Sequence, residues 1–253
     1  MAKTCMAAGK AGAFESCLNF QKVQKNQKFI QKKVRAFSVA EVLITLSIIA
    51  IVALFTVPTL YKKYQEKITV VKLQKFYSTL NTAVSTAIKK NGNPKYWGTD
   101  NFDKESAQKL YKILIEPNFK ILEDCEQSGT ECLTQENYKQ LDGSLYNAFG
   151  NMGQYYKVVL VDGAHVFVRG GEGMGGVFYD VNGKEPPNKI GVDLFAFPGR
   201  KNFLEPEGLS TKAKGCLDKT NGYSCAAWVV YKGNMDYLKC NDLSWDSKQK
   251  CSK

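Results

Sequence analysis

An uncharged apolar run constrains this chain more than any other feature of the sequence. From Val42 to Leu60 no residue carries a charge, and in the wider segment FSVAEVLITLSIIAIVALFTVPTL (37–60) the one ionisable side chain is Glu41. A helix needs roughly 20 apolar residues to span a bilayer, so the run predicts a transmembrane helix. A carboxylate is costly in hydrocarbon, and its presence indicates a partner or a function for Glu41.

The charge that flanks the run predicts its orientation. The net charge of the chain is +11, and the first 36 residues hold eight basic residues and one acid, so most of the excess lies there. The positive-inside rule then predicts that this head is cytoplasmic and that the larger C-terminal part lies outside. The rest of the chain has no dense Lys/Arg stripe, and we expect no nucleic-acid partner.

The cysteines and the single histidine limit the chemistry. Two cysteines lie in the head, and the other six suit three disulfides in an oxidising compartment. Many pairings are open, and the local ones are favoured because their loops are short: Cys125 with Cys132, Cys216 with Cys225, and Cys240 with Cys251. One histidine, His165, is too few for most His-based catalytic or metal sites, and we expect no enzyme.

The segment KKVRAFSVAEVLITLSIIAIVALFTVP (32–58) resembles the class III signal of type IV prepilins and type II secretion pseudopilins. In that family a basic leader ends at a small residue, the mature chain begins at a Phe, and the fifth mature residue is Glu. The matching residues here are Ala36, Phe37 and Glu41, and Pro58 matches a helix-kinking proline. The usual residue before the cut is Gly, and the usual leader is shorter.

The resemblance implies a pathway and a set of partners. Prepilin peptidase would cut between Ala36 and Phe37 and methylate the new Phe37 amine. Glu41 of one subunit would pair with that amine on a neighbouring pilin or pseudopilin subunit in a helical filament, at an inner-membrane assembly platform and among membrane lipid. The expected function is a structural subunit of a type II secretion pseudopilus in a bacterial inner membrane, with the globular part periplasmic, or extracellular in an assembled filament.

Two alternatives to the pseudopilin interpretation stay open. In the first, the chain is a type IV pilin subunit; in the second, it is an extracytoplasmic binding module on an uncleaved membrane anchor. The binding module would keep its leader and would tolerate Glu41→Ala, whereas a filament subunit would be processed and would fail to assemble in that variant.

The remaining sequence predicts an α+β, pilin-like fold. A helix through Leu73, Tyr77, Leu80, Val84 and Ile88 is expected to stop at Asn91-Gly92-Asn93-Pro94. It would pack on four or five antiparallel strands, which include a hairpin turning at Asp162-Gly163 and a last strand in CAAWVVYKGNMDYLKC (225–240). The expected divisions are a leader (1–36), a membrane or filament-core helix (37–60), an amphipathic stem (61–94) and a globular domain (95–253).

The loop DVNGKEPPNKIGVD (180–193) offers hard oxygen ligands around a glycine turn. The side-chain oxygens of Asp180, Asn182 and Asp193 are ligands of the kind that Ca²⁺ prefers, so calcium is the one candidate cofactor. The same residue types cap backbone amides in Asx-Gly turns, and such capping is the alternative interpretation.

Overall fold

A long helix begins the folded part of the chain. The structure, a computed structural model, describes residues 37–126, 132, 137–146, 154–172, 174–200 and 203–252. Helix α1 covers Val39–Asn91 and runs continuously through Pro58, so the proline does not melt it, and a kink there stays a prediction. Gly92, with φ 76°, ends the helix, and its N–H donates to the Ile88 carbonyl. The expected stop after residue 90 is confirmed.

The chain divides into two compact units at Phe55/Thr56. In the first half of α1 the side chains are exposed, apart from half-buried Ala53. By length and composition this helix is apolar and long enough to cross a membrane. The second unit, from Thr56 onward, holds the sheet, the remaining helices and the main core.

A six-stranded antiparallel sheet forms the centre of the second unit, and neighbours in sequence are neighbours in the sheet. The strands are β1 (Ile121–Glu126), β2 (Tyr155–Leu160), β3 (His165–Arg169), β4 (Gly176–Asp180), β5 (Leu194–Arg200) and β6 (Phe203–Leu204). Four or five strands were expected. The two edge strands account for the difference: β1 lies in a region with no clear alternation, and β6 has only two residues. The β2–β3 hairpin turns at Gly163, with φ 80°, as predicted.

Helix α1 buries one face against the sheet from residue 69 onward. Leu73, Leu80 and Val84 are buried as their spacing predicts. Phe76 stacks on Tyr179 of β4 with ring centroids 4.0 Å apart, and it also contacts Phe197 of β5. This apolar layer joins the stem and the sheet in one core.

The opposite face of the sheet has its own smaller core. Phe167 of β3 and Phe178 of β4 pack there with Tyr138 and Ile190, which come from the segments that cover this face. His165 shares the cross-strand pair with Asp180 and is buried, so it is a cross-strand rather than a surface histidine. The sheet is therefore covered on both faces.

The expected last strand is wrong, because residues 225–232 form a helix. Helices α2 (Lys104–Leu110), α3 (Lys214–Leu217) and α4 (Cys225–Lys232) complete the second unit, with short helical turns at Pro94–Tyr96, Tyr111–Ile115 and Asp236–Leu238. The adjacent Val229 and Val230 suggested a strand. Ala226 and Ala227 favour helix instead, and Gly233, with φ 66°, ends it.

The six cysteines outside the head form the three local pairs that their spacing favoured. Cys125 of β1 pairs with Cys132, Cys216–Cys225 joins α3 to α4, and Cys240–Cys251 fixes the C-terminal segment. The Cα–Cα distances are 6.0, 4.8 and 5.9 Å, within the range of disulfides.

Candidate functional site

Glu41 and Ser38 cap the first turn of α1 reciprocally. The Ser38 backbone N–H donates to Glu41 Oε2 over 2.8 Å, and the Glu41 backbone N–H donates to Ser38 Oγ over 3.2 Å. This is a capping box, a motif that satisfies two amides left unpaired at a helix start. Glu41 therefore has a local role at the helix terminus in addition to the assembly role that the family resemblance implies.

Phe37 precedes the helix and is 82% exposed. Ala36 lies outside the described residues, so the predicted cleavage bond is not seen as a whole. Beyond Glu41 the helix presents Val, Leu, Ile and Phe side chains that are 44–77% exposed between residues 42 and 57. An apolar surface of this length is unfavourable in water and requires lipid or protein around it.

The second candidate site lies at the loop of residues 180–193, called here the acidic loop, and is built around two buried carboxylates. Asp180 ends β4; its Oδ1 accepts from the backbone N–H groups of Asn182 and Gly183, and its Oδ2 accepts from the Tyr138 hydroxyl. Asp193 precedes β5 and accepts from the backbone N–H groups of Asn188 and Lys189. Together the two acids fix both ends of the loop.

Burial governs the protonation of this pair. It raises the pKa of Asp193 to about 6, against the opposing effect of its amide hydrogen bonds. Burial, followed by the nearby charge of Asp193, holds the pKa of Asp180 well above its usual value of 3.8. Burial also raises the pKa of Tyr138, so this phenol stays a hydrogen-bond donor.

The three predicted calcium ligands do not share one set of free oxygens. Asp180 and Asp193 are brought close, but both oxygens of each carboxylate accept from protein donors. Asn182 directs its Nδ2 to the carbonyls of Glu185 and Pro186. Within the described parts of the chain, no cluster of three or more His, Cys, Asp or Glu side chains could hold a metal. The geometry is that of turn capping, and calcium binding stays an untested prediction.

Two residues of these candidate sites, Ser38 and Tyr138, are not among the site residues predicted from the sequence. Ser38 had a readable signal, because Ser-Val-Ala-Glu before an apolar run fits the S-x-x-E capping box. Tyr138 had no such signal. Its role depends on contact with Asp180, 42 positions along the chain, and no local spacing predicts that contact.

Comparison with known proteins assigns the folded part of the chain to a family. The match is to DUF6613, a family of unknown function, and covers residues 59–251. The chain belongs to DUF6613. The DUF6613 match includes the stem, the sheet and the acidic loop, and it begins after Phe37 and Glu41. No curated protein and no solved structure matches the chain.

Proposed function

We propose that this member of DUF6613 is a structural subunit of a type II secretion pseudopilus. Prepilin peptidase cuts between Ala36 and Phe37 and methylates the Phe37 amine, and the chain is not catalytic. Before assembly the protein crosses the inner membrane once, with its leader in the cytoplasm and the sheet domain in the periplasm. Its partners are the peptidase, the assembly platform and other pilin-like subunits.

One observation carries the proposal: the two halves of helix α1 differ in burial. Residues 42–60 are apolar and exposed, apart from half-buried Ala53, whereas from Thr69 onward the helix buries one face on the sheet. The first half needs a bilayer or neighbouring helices, and the second half needs its own domain. A subunit that moves from membrane to filament has both needs, and the signal at Ala36, Phe37 and Glu41 agrees with such a pathway.

The proposed role of Glu41 follows from charge. Cleavage before Phe37 leaves an α-amine that is positive at neutral pH, at the apolar end of the helix. In a filament core Glu41 neutralises this amine on a neighbouring subunit and sets the axial register. Removing one partner leaves the other charge buried and unpaired, at a cost of about 3–5 kcal/mol.

The capping box allows a test that separates the assembly role from the local role. Glu41→Gln keeps the cap, because Gln serves in the same motif, but it removes the charge. Ser38→Ala removes the capping hydroxyl and keeps the charge. Each variant is expressed in cells that carry the complete secretion machinery; intact mass reports processing, and the sheared filament fraction reports assembly.

We expect Glu41→Gln to be processed but absent from filaments, and Ser38→Ala to be processed and assembled. If instead Glu41→Gln assembled like the wild type and Ser38→Ala did not, Glu41 would act as a capping residue only. The proposed pairing of its charge with the Phe37 amine would then be wrong.

A further inference from the structure

A pocket of about 650 Å³ lies at the start of the stem. Helix α1 forms one wall, the β4–β5 loop forms the second, and the turn at Asp236–Leu238 and the residue before it close the third. Most of the surface is apolar, with contributions from Ile68, Val181, Pro186, Pro187 and Met235. The size and the lining are those of a small-molecule site.

Two acceptors in the pocket lining have unused hydrogen-bonding capacity. Glu66 uses Oε2 to accept from Lys239, and its Oε1 is buried with no hydrogen-bond partner among the residues described. Asn182 is held through its Nδ2, and its Oδ1 is likewise buried and has no partner in the described chain. An unsatisfied buried acceptor costs about 1–3 kcal/mol, so these two acceptors, one on the α1 wall and one on the loop wall, favour a ligand that brings N–H donors.

The pocket lining also holds lysines, in addition to the exposed acid Glu185. Lys62 lines the opening and is exposed, whereas Lys72 is held by the carbonyls of Asp162 and Val181. A ligand that fits has a donor group at the Glu66 side and an anionic group near Lys62. Such a ligand is a zwitterion, and an apolar part attached to it would cover the apolar lining.

The position along α1 indicates where such a ligand is found. The pocket begins at Tyr61, immediately after the apolar run, and at 1.5 Å per residue Glu66 lies about 9 Å beyond Leu60. The headgroup layer of a bilayer is about 5–8 Å thick on each side of the hydrocarbon core. With residues 42–60 in the hydrocarbon, Tyr61 and Lys62 lie within the headgroup layer and Glu66 lies at its outer edge, so the pocket extends outward from headgroup depth.

We propose that this pocket binds the headgroup of a phospholipid that carries a primary ammonium. The ammonium donates to Glu66 and Asn182 after a small adjustment of these side chains, Lys62 pairs with the phosphate, and the glycerol region covers the apolar wall. The proposal rests on the membrane placement in the proposed function and does not depend on filament assembly. Release of the lipid would accompany exit of the subunit from the membrane.

The test compares two lipids of equal charge. The full-length chain in detergent micelles is titrated with phosphatidylethanolamine or phosphatidylcholine, and bound lipid is counted by native mass spectrometry. Choline has no N–H group, so we expect phosphatidylethanolamine to bind about tenfold more tightly, as a charge-assisted hydrogen bond implies. Equal affinities for the two lipids would overturn the proposal.

Two variants make the result specific to the pocket. In Glu66→Gln the side-chain oxygen still serves Lys239, so the NH₂ group turns toward the pocket and replaces an acceptor with a donor. We expect the preference for phosphatidylethanolamine to disappear in this variant and to persist in Glu105→Gln, which removes an exposed acid of α2 that pairs with Lys109. A preference that survives Glu66→Gln would contradict the assignment.

The experiment gives different results if the proposed lipid site is wrong and if the proposed membrane placement is wrong. Flotation with vesicles of phosphatidylethanolamine and phosphatidylglycerol tests the placement alone. A chain that floats but shows no headgroup preference overturns the pocket and leaves the proposed function intact, whereas a chain that does not float contradicts both. If N-acetyl-lysine methylamide bound to the pocket and lipid did not displace it, the pocket would be a peptide site. That result would also overturn the proposal.

Discussion

Asp180 and Asp193 show at the residue scale how burial changes a titration. Both carboxyls have a raised pKa in the folded chain, so the folded state holds their protons more tightly than the unfolded state does. Their contribution to the free energy of unfolding is therefore largest at low pH and falls as the pH rises above about 4, through about 6 for Asp193. For Asp193 alone this loss is on the order of 3 kcal/mol.

Replacing Asp180 by Asn tests this sign. The Asn oxygen still accepts from the amides of Asn182 and Gly183, and its NH₂ group donates to the Tyr138 hydroxyl, so the hydrogen bonds are kept. We expect Asp180→Asn to gain stability relative to the wild type between pH 4 and pH 8, measured by urea unfolding of the full chain in detergent at both values.

Asp142→Asn is the control for the acid pair. Asp142 is exposed, and hydrogen bonds from Ser144 lower its pKa, so its contribution to stability has the opposite dependence on pH. If the stability difference between Asp180→Asn and the wild type did not change with pH, or fell as the pH rose, the buried-pair account would be wrong.

The elements differ in how well local sequence predicts them. The stem of α1 and the β2–β3 hairpin follow from spacing and turn residues, because each depends on contacts close in sequence. Local sequence does not predict helix α4, since Val229 and Val230 are compatible with both a helix and a strand and burial decides between them. Strand β1 lacks a clear alternation because, apart from Cys125 and half-buried Ile121, its residues are exposed at the edge of the sheet.

The candidate sites divide in the same way. Phe37 and Glu41 belong to a contiguous motif and can be found from the sequence, as can the capping partner Ser38. The Tyr138–Asp180 contact and the pocket between α1 and the β4–β5 loop join segments far apart in the chain. No local pattern predicts them, because tertiary packing creates them.

Contact between helix α1 and the sheet is tested by Phe76→Ala. Phe76 is buried and stacks on Tyr179, so the variant leaves a cavity at the centre of the interface. We expect a loss of about 3–5 kcal/mol in the free energy of unfolding, measured by urea titration of the full chain in detergent with circular dichroism. Val71→Ala, on the exposed side of the same helix, is the matched control and should change stability by less than about 0.5 kcal/mol. Similar losses in both variants would contradict the packing described here.

At the scale of the whole molecule, the function of the protein depends on what surrounds the exposed apolar half of α1. The second unit has its own core on both faces of the sheet and three local disulfides, and none of residues 37–55 belongs to these buried clusters. Those residues are therefore available for a bilayer or for neighbouring helices, which is the requirement for a subunit that changes environment. An uncleaved anchor would meet the first need only.

The proposed processing before Phe37 is tested most directly by identifying the N-terminal residue of the protein in its own membranes. Intact mass and N-terminal sequencing of the chain, purified from cells that carry its prepilin peptidase, show where the mature protein begins. The account predicts a chain that starts at methylated Phe37. A chain that retains Ala36 and the basic leader would contradict it and would favour a binding module on an uncleaved anchor.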